Sequence, residues 1–246
     1  MTAPTTANST STSSRVSSGY YKSQYAINVQ NLTVGYGNNV LMQNLNFTVN
    51  NGEIFVILGG SGCGKSSLLK NLFGLYQLLS GDVLIEGQNI TTAQGAERQH
   101  IMTSFGVMYQ QGALFGSMNL LENVTLFMQE YTQLTQTQMD LLARCKLDLV
   151  GLLPYESYMP SEISGGMQKR AAIARAMALN PRILFLDEPS AGLDPITSAD
   201  LDQTIMDLSK NLGITFVIVS HELASIYAIA DKVIMLDKAA KGIIAE

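Results

Sequence analysis

The chain has 246 residues, 46% of them hydrophobic, enough for one large domain with a substantial core. A net charge of −5 and a pI near 5.1 speak against a general nucleic-acid binder, so no nucleic acid is expected as a partner. No apolar run approaches the roughly 20 residues that span a bilayer, and the only cysteines, Cys63 and Cys145, lie far apart, as suits a reducing compartment without a disulfide framework.

Residues 1–24 open the chain as a Ser/Thr-rich tail, expected to be disordered because it can bury too little surface to offset its ordering entropy. Its acid-free, Ser-rich composition also suits an organellar transit peptide, but Arg15 is the only charge in residues 2–18. Residues 27–34 and 45–49 alternate like strands, with Asn50-Asn51-Gly52 as a turn signal. The apolar run 54–58 feeds a glycine-rich loop, and Lys65 opens a helix expected to carry Leu68, Leu72, Tyr76 and Leu79 on one face, with Gly81 as its stop. A strand pair follows at 83–85 and Ile90, then a helical pattern over 118–150, then a helix over 167–179 ended by Asn180-Pro181. The runs 183–186, 214–219 and 233–236 are short and wholly apolar, and 241–246 reads as the closing strand of a hairpin. Wholly apolar strands alternating with helices imply an α/β domain with a mostly parallel sheet covered on both faces. One such domain is expected over 25–246, with a helical insertion at about 112–165.

Gly59-Gly60-Ser61-Gly62-Cys63-Gly64-Lys65-Ser66 fits G-x-x-x-x-G-K-[ST], and Ser67 follows it. Its glycines let backbone N–H groups approach phosphates, Lys65 reaches the β- and γ-phosphates, and the Ser66 hydroxyl can ligate Mg²⁺. Cys63 reads as a small spacer in that loop. Ile183-Leu184-Phe185-Leu186-Asp187-Glu188 is an apolar strand ending in two acids, Asp187 to hold Mg²⁺ and Glu188 to polarise the attacking water.

Ser164-Gly165-Gly166-Met167-Gln168-Lys169-Arg170, about a hundred residues after the phosphate loop, resembles the signature of ATP-binding cassette (ABC) ATPases. Met167 departs from the family's glutamine and Ile163 from its leucine. The resemblance covers roughly residues 27–246 and implies a P-loop fold of the ABC type: a parallel core, an antiparallel β subdomain and a helical subdomain. It further implies that ATP held by one copy is met by Ser164, Gly165 and Gly166 of another, so that the chain works as a homodimer. Gln110, after Tyr109, resembles the glutamine that contacts Mg²⁺ and links the site to the transporter. Asp194 in Ser190-Ala191-Gly192-Leu193-Asp194 resembles the loop that crosses the dimer interface. His221 resembles the histidine on the γ-phosphate, and Tyr36 the aromatic that stacks on adenine. Related ATPases usually continue beyond the final hairpin with at least one helix.

Gln111-Gly112-Ala113-Leu114-Phe115-Gly116-Ser117-Met118-Asn119, Glu122-Asn123-Val124 and Asp194-Pro195-Ile196-Thr197 are similar to the lipid-trafficking ABC ATPases that work with MCE proteins. That resemblance implies phospholipid transport that maintains outer-membrane asymmetry, from the cytoplasmic face of a bacterial inner membrane. Its implied partners are an MlaE-type permease, an MlaD-type MCE protein reached through the permease, and an MlaB-type STAS-domain protein. Ala113, Leu114 and Phe115 are candidates for the groove that receives a permease helix. The competing reading is the ATPase of a small-solute importer, for example one for amino acids.

Overall fold

A computed structural model describes residues 23–37 and 39–246; nearly all of the expected tail, residues 1–22, lies outside the described residues. The strands β1 (Tyr25–Tyr36) and β2 (Asn39–Asn50) pair antiparallel with Ile27 opposite Val49 and Leu32 opposite Leu45. β3 (Ile54–Gly59) then runs into the glycine-rich loop and α1 (Lys65–Leu72). β4 (Ser80–Ile85) and β5 (Gln88–Asn89) return to the other side of β1, giving an antiparallel sheet in the order β2-β1-β4-β5.

α1 is shorter than its apolar spacing predicts. Gly74 takes φ +71°, its N–H donates to the Asn71 carbonyl, and the Leu75 N–H donates to the Lys70 carbonyl at 2.9 Å. That pair of bonds is a Schellman stop, so Tyr76 and Leu79 fall outside the helix and are 37% and 40% exposed. Gly81 lies inside β4, not at a helix end.

α2 (Gly95–Thr103) leads to β6 (Phe105–Met108). The helical pattern at 118–150 resolves into α3 (Leu120–Tyr131) and α4 (Gln136–Leu149), each opened by a capping box, Asn119 with Glu122 and Thr135 with Gln138. The following helix is α5 (Gly165–Ala176), two residues earlier at its start than expected because Ser164 is its cap. β7 (Ile183–Asp187), α6 (Pro195–Leu212), β8 (Thr215–Val219), α7 (Leu223–Ile229), β9 (Lys232–Asp237) and β10 (Gly242–Ala245) complete the chain. The second sheet has the order β10-β9-β3-β8-β7-β6, parallel except for β10, which closes an antiparallel hairpin on β9.

The apolar strands owe their composition to burial on both faces. Phe55, Ile57, Phe185, Val217 and Val219 face one core, under the antiparallel sheet and α1. Ile54, Val56, Leu184, Leu186, Phe216 and Ile218 face the other, under α3–α7. This sandwich fixes β3, β6, β7 and β8 side by side, and each ends at the same rim.

Candidate nucleotide site

In open parallel sheets ligands bind beyond the carboxyl ends of the strands, and here those ends carry the predicted chemistry. β3 delivers the loop from Gly59 to Ser67, whose Gly62 and Gly64 adopt φ +71° and +100°, conformations open to glycine. Lys65 is 7% exposed, and its ammonium donates to the carbonyls of Gly59 (2.8 Å) and Gly60 (3.1 Å). Ser66 opens toward β7 and donates its hydroxyl to Asp187 Oδ1 at 2.8 Å. Burial pushes the Asp187 carboxyl above its ordinary range; the Ser66 hydrogen bond and the charges of Lys70 and Lys65 act against that, and Glu188 acts with it.

Glu188 follows the last residue of β7 with φ +48°, a left-handed conformation uncommon outside glycine. Its amide donates to the Val219 carbonyl at 2.9 Å, which pins it to the end of β8. The carboxylate sits between two side chains from neighbouring strand ends. Gln110, just past β6, donates Nε2 to Glu188 Oε2 at 3.2 Å, and His221, just past β8, has Nδ1 3.1 Å from Oε1. A cleft of about 700 Å³ brings together Gly60, Ser61, Lys65, Ser66, Glu188 and His221. At one side Tyr36, half exposed, shares a 3.1 Å hydrogen bond with the Ser67 hydroxyl and packs edge-on against Tyr76.

Cys63 contributes only backbone to this loop: its thiol turns underneath, 5% exposed, within 2.6 Å of where a Cβ on Gly59 would stand. Ser164, Gly165, Gly166 and Asp194 are not in the phosphate cleft of their own chain. Ser164 caps α5, accepting from the Met167 N–H at 3.3 Å. Asp194 caps α6, accepting from the N–H groups of Ile196 and Thr197 and from the Thr197 hydroxyl, and the last bond foremost holds its carboxyl below the ordinary range. Gly165 instead borders a second cleft of about 490 Å³ with Gln110, Gln111, Lys169, Gly192 and Leu193. Met167 is half buried against the second core, which accounts for an apolar side chain where a glutamine was expected.

Two cations escaped the sequence reading. Lys169 and Arg175, both on α5, are 9% and 6% exposed. Lys169 donates to the Gln110 carbonyl, and Arg175 to those of Gly112 (2.9 Å) and Ala113. Burial lowers the pKa of both. The available signal was the presence of charge on an otherwise alanine-rich, core-facing helix. Arg175 also lines an apolar groove of about 680 Å³ with Met102, Phe105, Tyr109, Phe127 and Tyr131, and its guanidinium lies 5.9 Å from the ring centre of Phe115 and 6.0 Å from that of Phe127.

Among the described residues no group of three or more His, Cys, Asp or Glu side chains forms a metal cage, and no helix is long and apolar enough to cross a membrane. A family model described as "ABC transporter" matches residues 42–191. The chain is 42% identical over 211 residues to the "probable ribonucleotide transport ATP-binding protein mkl" of Mycobacterium leprae, covering 86% of this chain and 61% of that protein. It is 38% identical over 213 residues to the "intermembrane phospholipid transport system ATP-binding protein MlaF" of Escherichia coli K12, covering 86% and 79%. The chain thus spans about three fifths of the mkl relatives it matches. Among solved structures, the bacterial ABC transporter cassette MJ0796, described as dimeric, superposes with a TM-score of 0.78 at 29% identity, covering 89% of this chain and 96% of that one.

Proposed function

The chain belongs to the ABC transporter family, and from that premise we propose that it is the ATP-hydrolysing subunit of a phospholipid transporter, acting as a homodimer beneath an integral membrane permease. The convergence of Lys65, Ser66, Asp187, Glu188, Gln110 and His221 on one strand-end rim is the observation that carries the hydrolytic part of the reading. The triphosphate lies along the loop from Gly59 to Ser67, whose N–H groups and α1 N-terminus meet its charge. Lys65, now donating to loop carbonyls, exchanges them for phosphate oxygens, and Tyr36 offers its ring to the adenine.

The donor set fits Mg²⁺, which takes few protein ligands and completes its shell with phosphate oxygens and water. Ser66, Asp187 and Gln110 would hold it, and its charge would favour the ionised Asp187 carboxylate against the burial that raises its pKa. When bound, the ion would supply positive charge against the charge that develops on the phosphates. Glu188 orients and accepts a proton from the attacking water, with Gln110 and His221 fixing its two oxygens. Ser164, Gly165 and Gly166, presented at the start of α5 with the helix dipole behind them, take the γ-phosphate of the partner copy's ATP. Asp194 lies on the same seam. Nucleotide therefore favours the closed pair, and hydrolysis removes the bridging charge.

The MlaF match spans most of that protein, and the stretch around Gly112–Asn119 resembles the same lipid-trafficking group, which supports phospholipid as cargo. The apolar groove of Met102, Phe127 and Tyr131 is the dock for the permease helix, of MlaE type. An MlaD-type MCE protein above the permease and an MlaB-type STAS protein on the ATPase complete the assembly at the cytoplasmic face of the inner membrane. The likeness to the mkl proteins, named for ribonucleotide transport, favours ribonucleotide cargo as a second reading. Copurification of the membrane complex, followed by mass spectrometry of its bound small molecules, decides: phospholipid with an MCE protein is expected, and a solute-binding protein that carries a nucleotide or another solute overturns it, ATP and ADP on the cassette being common to both readings. For the chemistry, Glu188→Gln is expected to bind ATP, lose at least about a hundredfold in kcat and accumulate as dimer. Near-normal phosphate release from that variant would remove Glu188 from its role.

A further inference from the structure

From the bonds that α5 makes to the loop after β6, we infer that Lys169 is a positioning residue: it holds Gln110 on Glu188, and it couples the signature end of α5 to the hydrolytic rim of its own subunit. The inference rests on the hydrolytic role proposed for Glu188. Lys169 is 9% exposed, and its ammonium donates to the backbone carbonyl of Gln110, whose own side chain reaches Glu188 at 3.2 Å. Six residues on, Arg175 takes the carbonyls of Gly112 and Ala113. Neither cation pairs with a carboxylate among the described residues; one helix spends both on a single loop. The chain of contact runs from the Ser164 cap along α5 through Lys169 to Gln110 and Glu188.

That linkage has a consequence in a symmetric pair. The start of α5 faces the partner copy's nucleotide, while Gln110 serves the site on its own chain. A displacement of α5 on meeting the partner's γ-phosphate is transmitted through Lys169 to Gln110, so each site senses whether the other is loaded. Lysine suits this duty, since its single compact charge satisfies one carbonyl at the end of a flexible stem.

The test is a double-mutant cycle with an independent structural readout. Lys169→Met is expected to lower kcat for ATP hydrolysis by about tenfold with KM within about twofold, and Lys169→Arg to recover most of the loss. In a Gln110→Ala background Lys169→Met should have almost no further effect, because it acts through Gln110. The chain contains no tryptophan, so a Gln111→Trp reporter placed next to Gln110 reads the loop alone. Its fluorescence anisotropy is expected to fall with Lys169→Met and to be restored by Lys169→Arg. Additive losses in the cycle, or an unchanged Trp anisotropy, would overturn the inference while leaving the ATPase reading intact. An inactive wild type would overturn the ATPase reading instead, and the anisotropy would still decide whether Lys169 fixes the loop. Should Lys169→Met not fold, Lys169→Ala, which also removes the donor and suits a helix interior, carries the same comparison.

Discussion

At the scale of single residues, the site is built from side chains that tolerate little change in volume or charge. Gly59 ends β3, and a Cβ there would stand 2.6 Å from the Cys63 sulfur and 2.8 Å from the Leu236 carbonyl oxygen. The sulfur can turn away but the strand carbonyl cannot. Gly59→Ala is therefore expected to destabilise the fold by about 1–3 kcal/mol, a fall in the urea midpoint that adding Cys63→Ala does not recover. Asp202 shows the electrostatic counterpart. It is 6% exposed on α6, burial raises its pKa, the Ser225 hydrogen bond opposes that, and Glu222 adds to it. A carboxyl whose folded pKa is raised binds its proton more tightly in the folded state. Its contribution is favourable below the unfolded pKa and is lost as pH rises through the folded one. Asp202→Asn, which keeps an acceptor for Ser225, should raise stability near neutral pH by on the order of 1 kcal/mol. The gain should vanish as the pH approaches 4, the ordinary carboxyl range. Thermal melts of both proteins across that range check it, and a gain that persists in acid would remove the burial argument.

Among the elements, the segment that leads into α3 depends on one amide. Asn123 is 1% exposed; its Oδ1 accepts from the Phe115 N–H at 2.8 Å, and its Nδ2 donates to the carbonyls of Phe115, Met118 and Asn119. Asn123→Leu keeps the branching of the side chain but strands these backbone groups, at about 2–4 kcal/mol. It should also speed hydrogen exchange at residues 115–119 more than in the central strands. Uniform exchange changes would argue that the amide is not the local clasp. The same comparison shows what was legible beforehand. The parallel strands and the strand–loop–helix around Lys65 were readable because burial on two faces and phosphate chemistry each restrict residue type in a contiguous run. The ends of α1 and β4 were misread, since Leu72, Tyr76 and Leu79 keep helical spacing while Gly74 has already stopped the helix. β6, with Gly106 inside a four-residue strand, α2 and α7 gave weak local signals, because their faces are set by distant neighbours; α6 went unread although the Asp194 cap, Pro195 and the left-handed Gly213 mark both its ends. The partners of Lys169 and Arg175 were unreadable for a related reason: a bond from a side chain to a backbone carbonyl some sixty residues away leaves no pattern of residue types.

For the whole molecule, the decisive fact is a mismatch between one chain and one complete site. The chain carries a single phosphate loop and a single signature, yet the cleft at Lys65 has no wall from residues 164–166 or from Asp194, and Gly165 borders a different cleft. A two-fold pair resolves this if each copy lends its α5 start to the loop of the other. Complementation tests that geometry without any view of the dimer. Lys65→Ala removes the loop's cation and Ser164→Glu places a negative charge where a γ-phosphate is expected, so each variant alone should hydrolyse almost nothing. Mixed, they form heterodimers in which one site inherits both defects and the other inherits neither. Random pairing makes about half of all dimers mixed, and intact sites then amount to about a quarter of the total. If single sites fire independently, the mixture regains up to about a quarter of wild-type turnover. If firing needs both sites loaded and competent, as the Lys169 linkage implies, recovery falls well short of that while ATP binding at the restored sites stays measurable. Were each chain to build its site from its own residues, the mixture would bind and hydrolyse no more than the mean of its parts, and the shared-site architecture would be wrong.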